Sequence, residues 1–259
     1  MTTVAAIQCV SDFAKLDVNR TKLESLVREA AGSGAKIIVA PEAMLTGYMR
    51  EDGALTWRRS GWPALHRMNG LDPRGIAETI PGISTARFAK LAAELRVYLT
   101  VPLIEHDPAT DSFFNSVVLK DPEGQTLLHY RKLHPWPYAE TGWATPGNRG
   151  LQVVDTPLGK LGLLICYDIN FEAANIRAAG VDILLYSIAW YDEPGSTWFQ
   201  TGLPHVAAEN KYAIIAANWS VSKEQRWCGY GQSLIADRTG KVVARVQKNT
   251  GDEIVYAEL

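Results

Sequence analysis

Three residues at the ends of apolar runs carry the chemistry open to this sequence. Cys166 closes Leu163-Leu164-Ile165, Glu42 follows Ile37-Ile38-Val39-Ala40-Pro41, and Lys132 follows Tyr130-Arg131. A side chain placed just where a buried strand stops faces a cleft. An amide or nitrile carbon resists water because water is a weak nucleophile and the negative charge that develops on oxygen or nitrogen is costly. A catalyst therefore needs an activated nucleophile, a proton carrier and electrophilic support. Cys166 is the candidate nucleophile. A thiol near its ordinary pKa is mostly protonated at neutral pH, so a carboxylate or an ammonium must help it attack. Glu42 can take that proton, hand it to the leaving group and then activate water. Lys132 can support the oxyanion together with the backbone N–H of Tyr167. Glu140, close in sequence to Lys132, can hold the lysine or the substrate amide in place.

Each assignment has a plainer competitor. Free cysteine is among the most often buried residue types, and Cys166 alone would read as a small core hydrophobe. Its company with Glu42 and Lys132 is what shifts the reading. A Cys-His pair using His134 or His205 is the other nucleophilic arrangement; His134 is expected to serve its loop, and His205 to be a satisfied core or interface histidine. The five histidines are scattered, with no H-E-x-x-H spacing, so no metal site is expected. Cys9 and Cys228 read as packing residues. Tyr48, Trp136, Tyr138, Trp190 and Tyr191, with Trp143 and Trp198, either line the pocket or pack at its rim.

The elements that must position these groups follow from periodicity. Val4–Val10 and Ile37–Ala40 read as buried strands around a helix whose Leu23, Leu26, Val27 and Ala30 share one face, with Asp17 as its cap. Ser84 or Thr85 caps a second helix with the stripe Phe88, Leu91, Ala92 and Leu95. Strands follow at Tyr98–Leu103, Phe113–Leu119 and Thr126–Tyr130, the last two joined by Asp121-Pro122-Glu123-Gly124. After the cysteine strand comes a helix near Phe171–Arg177. Then come a strand at Asp182–Ser187, a helix over Thr197–Asn210, and strands at Tyr212–Ala217, Gln232–Asp237, Val242–Val246 and Ile254–Leu259. This alternation gives an α/β chain with two sheets and helices outside each. Tyr48–Pro81, rich in arginine and tryptophan, is irregular and reads as a lid, a subunit contact or a surface excursion.

At 259 residues the chain is long enough for one large domain spanning 1–259. The formal net charge of −2, with lysine and arginine dispersed, lacks the footprint of nucleic-acid binding. Small molecules or further copies of the chain are the expected partners. Three irregularly spaced cysteines, an N-terminus without a leader pattern and no apolar run of about 20 residues point to a soluble cytoplasmic protein that does not engage membranes.

The motifs together resemble the nitrilase or carbon–nitrogen hydrolase superfamily. Pro41-Glu42 with Leu45-Thr46-Gly47-Tyr48, Tyr130-Arg131-Lys132-Leu133-His134, and Gly162 through Asp168 look like its three signature segments in order, and Phe114-Asn115-Ser116 also matches. The resemblance implies a four-layer α-β-β-α sandwich of two mixed sheets, often dimerising. It also implies a Glu42–Lys132–Cys166 triad acting through a thioester, Glu140 as the second glutamate, and no cofactor. Tyr167-Asp168 looks more like the amidase branches than the nitrilases. Phe171 runs directly into Glu172 where family members often carry proline, so a different helix start is expected. A small linear amide is the implied substrate. Hydrolysis of N-carbamoyl amino acids or nitriles is the alternative within the family, and Arg58, Arg59, Arg67 and Arg177 are candidates to grip a substrate carboxylate or, more plainly, surface charges. A catalytically silent assembly subunit is the alternative outside enzymology.

Overall fold

Runs such as Val4-Ala5-Ala6-Ile7 and Leu184-Leu185-Tyr186 have no polar face, the pattern of strands covered on both sides. The computed structural model describes residues 1–47, 73–137, 140, 142–190, 197–221 and 229–259, and it folds these runs into two six-stranded sheets. In the first sheet the order is β12 (Glu253–Glu258), β1 (Thr3–Gln8), β2 (Ile37–Val39), β3 (Tyr98–Asp107), β4 (Ser112–Lys120) and β5 (Thr126–Arg131). In the second it is β11 (Val242–Arg245), β10 (Leu234–Ala236), β9 (Ala213–Ala217), β8 (Ile183–Ser187), β7 (Gly159–Ile165) and β6 (Val153–Thr156). Both are mixed: β1–β2–β3 and β7–β8–β9 run parallel, and the outer pairings are antiparallel.

Strand alternation decides the layers. On β1, Val4 and Ala6 join the core shared with the second sheet, whereas Ala5 and Ile7 face the helix stripe of Leu23, Leu26, Val27, Ala30, Phe88, Leu91 and Ala92. That stripe comes from α1 (Leu16–Gly32) and α2 (Ile83–Leu95). On the far side, α3 (Ile169–Ala178) and α4 (Leu203–Asn210) bury Ile169, Ile176, Leu203 and Ala207 against the second sheet. The result is the four-layer α-β-β-α sandwich. Among the described residues no helix is long and apolar enough to cross a membrane.

Several local expectations are corrected. Asp17 lies inside the first turn of α1 and makes no cap. Gly82, not Ser84 or Thr85, caps α2; Thr85 Oγ1 accepts its N–H at 2.8 Å, while Ser84 sits in the first turn and is held by Glu78. Residues 197–210 split into a π-turn over Trp198–Gly202 and then α4, with Pro204 in the first turn of the latter. β10 starts only at Leu234, because Gln232 takes a positive φ of 55° that a strand cannot carry. β6 was not anticipated. Tyr48, Tyr138, Tyr191, Cys228 and the 48–72 part of the Tyr48–Pro81 segment, with Trp57, Trp62, Arg50, Arg58, Arg59 and Arg67, lie outside the described residues.

Candidate active site

Each sheet delivers part of one cluster at the seam between them. Glu42 follows β2 and Lys132 follows β5 in the first sheet; Cys166 follows β7 and Ala189 follows β8 in the second. The Ala189 N–H crosses the seam to Glu42 Oε2 at 2.9 Å, and the Trp219 indole donates to the Glu42 carbonyl at 2.7 Å. Lys132 Nζ donates to Glu42 Oε1 at 2.8 Å and to Glu140 Oε2 at 2.6 Å. Asn115, from β4, donates through Nδ2 to Glu42 Oε1 at 2.7 Å and to Glu140 Oε1 at 2.5 Å. The Trp136 N–H adds a bond of 2.5 Å to Glu140 Oε2. Glu42, Glu140 and Lys132 are essentially inaccessible, whereas Cys166 keeps partial exposure.

The local chain is built to hold this cluster. Lys132 leaves β5 with its N–H on the Asn115 carbonyl at 2.8 Å and accepts the Gly147 N–H at 2.8 Å. A Cβ at position 147 would stand 2.1 Å from the Arg131 carbonyl, so only glycine lets that loop cross here. Cys166 takes φ +40° in a single 3-10 turn, Cys166–Asp168, between β7 and α3. A non-glycine residue rarely adopts this geometry. Tyr186 holds the strained peptide by donating its hydroxyl to the Cys166 carbonyl at 2.7 Å.

Electrostatics follow from burying two carboxylates, one ammonium and a thiol together. Burial pushes the Glu42 carboxyl above its ordinary range and the Glu140 charge adds to this, against the pull of Lys132 and Asn115. Burial works against the Lys132 ammonium, but the Glu140 and Glu42 carboxylates outweigh it and keep the lysine charged. Burial, then the Glu42 charge, drives the Cys166 thiol well up; Lys132 and the Ala189 N–H oppose them. The resting site therefore holds a protonated thiol beside a carboxylate of raised basicity and a charged lysine with one N–H not engaged by either glutamate.

The other expected residues sort clearly. Trp136 packs with Trp143, Ala189 and Trp219 beside the cluster, and Trp143 is a core residue. Trp190 stacks on Trp198 with ring centroids 5.2 Å apart, and its backbone is fixed by Asn218 at 2.8 Å. Tyr167 packs edge-on against Phe171 at 5.2 Å. His134 is occupied structurally: Nε2 lies 2.8 Å from Glu172 Oε1 and the ring stacks on Phe171. His205 is exposed, 3.8 Å from Glu209, and is no core residue. Arg177 lies on the surface, donating to the Glu209 carbonyl. Cys9 is sealed in the core, where burial pushes its thiol up. Phe171 and Glu172 lie within α3, which begins at Ile169, two residues before Phe171. Asn115, Ala189 and Asp168 were given no role from the sequence.

Comparison with known proteins gives the family and the fold. The family model described as Carbon-nitrogen hydrolase matches residues 3–259. A citrullinase of Francisella tularensis is 31% identical, covering 92% of this chain and 82% of that protein. The human omega-amidase is 29% identical, covering 99% and 87%. The chain also matches a rice bifunctional nitrilase/nitrile hydratase but spans only 58% of its length. Among solved structures, an amidase of Nesterenkonia sp. AN1 superposes with a TM-score of 0.81 at 18% identity, covering 100% of this chain and 93% of that one. A mutant of that amidase carries the acetamide moiety of fluoroacetamide covalently at its active-site cysteine.

Proposed function

This chain belongs to the carbon–nitrogen hydrolase family, and from that premise we propose that it hydrolyses a small linear carboxylic amide through a thioester on Cys166. The observation that carries the reading is the Lys132 ammonium held 2.8 Å from Glu42 and 2.6 Å from Glu140 at the strand ends that flank the strained Cys166 turn.

In the first half-reaction Glu42 takes the Sγ proton as sulfur attacks the carbonyl carbon, so a C–S bond forms as the C=O pair moves onto oxygen. The third N–H of Lys132 and the Tyr167 N–H receive that oxyanion, in a site where fixed donors need no reorganisation. The intermediate collapses, the C–N bond breaks, and Glu42 returns its proton to the departing nitrogen as ammonia. In the second half-reaction Glu42 deprotonates a water that attacks the thioester. Collapse then releases the carboxylic acid, and the proton on Glu42 restores the thiol. Because the thiol is protonated at rest, proton removal and attack are coupled, and a carboxylate of raised basicity suits that task at neutral pH. Glu140 holds Lys132 rather than moving a proton. Trp136, Trp190, Tyr48, Tyr138 and Tyr191 are the proposed pocket residues.

The citrullinase relative supports a second reading, hydrolysis of an N-carbamoyl amino acid, and the rice relative a third, hydrolysis of a nitrile. A non-catalytic assembly subunit is the reading outside enzymology. Ammonia release by the purified protein from panels of linear amides, N-carbamoyl amino acids and nitriles separates them. Release from amides first is expected; release from carbamoyl acids or nitriles alone transfers the assignment, and release from none with an unreactive Cys166 favours the silent subunit. We also propose that the chain works as a homo-oligomer, since Phe171, half-exposed on α3 beside Tyr167, offers apolar surface to a second copy.

A further inference from the structure

Two carboxylates share one ammonium in the cluster, so the three charges leave a formal excess of one negative charge in a nearly dry site. Like carboxylates placed this way ordinarily settle the excess by taking up a proton. A protonated Glu42 could not act as a base. Something besides Lys132 must therefore favour its ionised form.

The Ala189 N–H does part of this at Glu42 Oε2, and Asn115 is the side chain placed to do the rest at Oε1. Its amide nitrogen has two hydrogens in one plane, and each goes to a different carboxylate: Glu42 Oε1 at 2.7 Å and Glu140 Oε1 at 2.5 Å. With Lys132 on Glu42 Oε1 and Glu140 Oε2, the four side chains close a ring in which Lys132 and Asn115 each bridge the two glutamates. The amide orientation is fixed by these contacts, because a flipped amide would turn its oxygen onto two carboxylates. Asn115 Oδ1 is buried and makes no hydrogen bond among the described residues, so the side chain acts in this site as a donor only. The Asn115 backbone carbonyl accepts the Lys132 backbone N–H at 2.8 Å, so one residue fixes the lysine backbone and both acids.

We propose that Asn115 is a positioning residue for the reaction, which keeps Glu42 ionised and in register with Lys132 by donating one amide hydrogen to each glutamate. The inference rests on the reading of Glu42 as the base. The hydrogen bond from Asn115 opposes the upward push that burial and Glu140 exert on the Glu42 carboxyl. The other titratable groups facing Glu42 are Lys132, Glu140, Cys166 and Tyr186, with Asp168 facing Lys132.

The test is the pH dependence of kcat/KM for Asn115→Leu, a near-isostere without donors, beside wild type and Glu42→Gln, with thermal melts for each. The expected result is an acid limb moved up by about one pH unit, with activity recovering toward the wild-type plateau at higher pH and KM little changed. Asn115→Asp, which replaces the donors with a third carboxylate, is expected to shift the limb further. If Asn115→Leu does not fold, Asn115→Ser, smaller and with one donor retained, is measured instead, and a smaller upward shift is expected. An acid limb at the wild-type position, or a loss equal at every pH in a normally folded variant, overturns the inference. An active Glu42→Gln instead overturns the reading of Glu42 as base, whatever Asn115 does, so the two failures are distinct.

Discussion

The Tyr130 hydroxyl donates to Asp168 Oδ2 at 2.7 Å, which ties the segment that carries Lys132 to the turn that carries Cys166. Asp168 also accepts the His134 N–H at 2.8 Å, so its buried carboxyl grips the lysine segment on both sides of Lys132. The two sheets are thereby pinned where their reactive groups meet.

That clamp has a signature in stability. Burial pushes the Asp168 carboxyl up to about 7 from an ordinary 3.8, despite Lys132, Tyr130 and His134 pulling it down. The folded state therefore holds a proton that the unfolded chain gives up, and Asp168 contributes stability that is complete below about pH 4 and is lost as pH rises through about 7. Asp168→Asn, which imitates the protonated acid, is expected to flatten this part of the curve in denaturant melts between pH 5 and about 8. Curves for wild type and variant that stay parallel across that window would contradict the assignment.

A second buried group gives the opposite slope. Burial works against the charge of Glu105, but hydrogen bonds from His129, Arg131 and Ser116 outweigh it and hold the carboxyl at about 2. Its stabilising contribution is present above an ordinary 4.5 and is lost as pH falls through about 2. Glu105→Gln leaves Arg131 without its main buried partner and is expected to cost about 3–5 kcal/mol near neutral pH, with a shallower loss on acidification. Urea melts at neutral and acid pH measure both.

His134 separates two nucleophile schemes. With Nε2 engaged 2.8 Å from Glu172 and the ring stacked on Phe171, it is occupied in holding its loop. His134→Ala should keep most of its turnover, well short of the ~10²–10⁴-fold loss that removing a general base brings. A loss as large as that of Glu42→Gln would move the base role to histidine.

Thiol reactivity tests the silent-subunit alternative. Cys166 is partly exposed beside a carboxylate base, whereas Cys9 is sealed in the core. Iodoacetamide followed by peptide mapping should label Cys166 much faster than Cys9, and Glu42→Gln should slow that labelling. Equal rates at the two cysteines would favour an inert scaffold.

How much of this could be read beforehand depended on whether a group announces itself in one dimension. Glu42 and Cys166 each close an apolar run, Lys132 stands just past β5 in Tyr130-Arg131-Lys132, and a polar residue just after a buried strand is visible in any sequence. Glu140 was within reach because it follows Lys132 closely. Asn115 sits inside β4 next to Ser116, and two polar residues between Phe113-Phe114 and Val117-Val118 give no hint that two distant acids converge on the first of them. The Ala189 contribution is a backbone N–H, which the identity of the residue does not encode. Two sheets with helices outside each followed from strand and helix periodicity; their stacking into four layers came from the family resemblance. The α2 cap followed from neither, because Ser84 and Thr85 both have cap chemistry and the choice of Gly82 was settled by Glu78, which binds Ser84.

The claim on which the rest depends is that Cys166 carries the acyl group during turnover. Mass spectrometry of the protein quenched while it hydrolyses a linear amide tests it most directly. The account predicts an adduct of the acyl mass on the Cys166 peptide, absent from Cys166→Ala, which should also release no ammonia. Ammonia release by Cys166→Ala at the wild-type rate, with no adduct on the wild-type peptide, would contradict it.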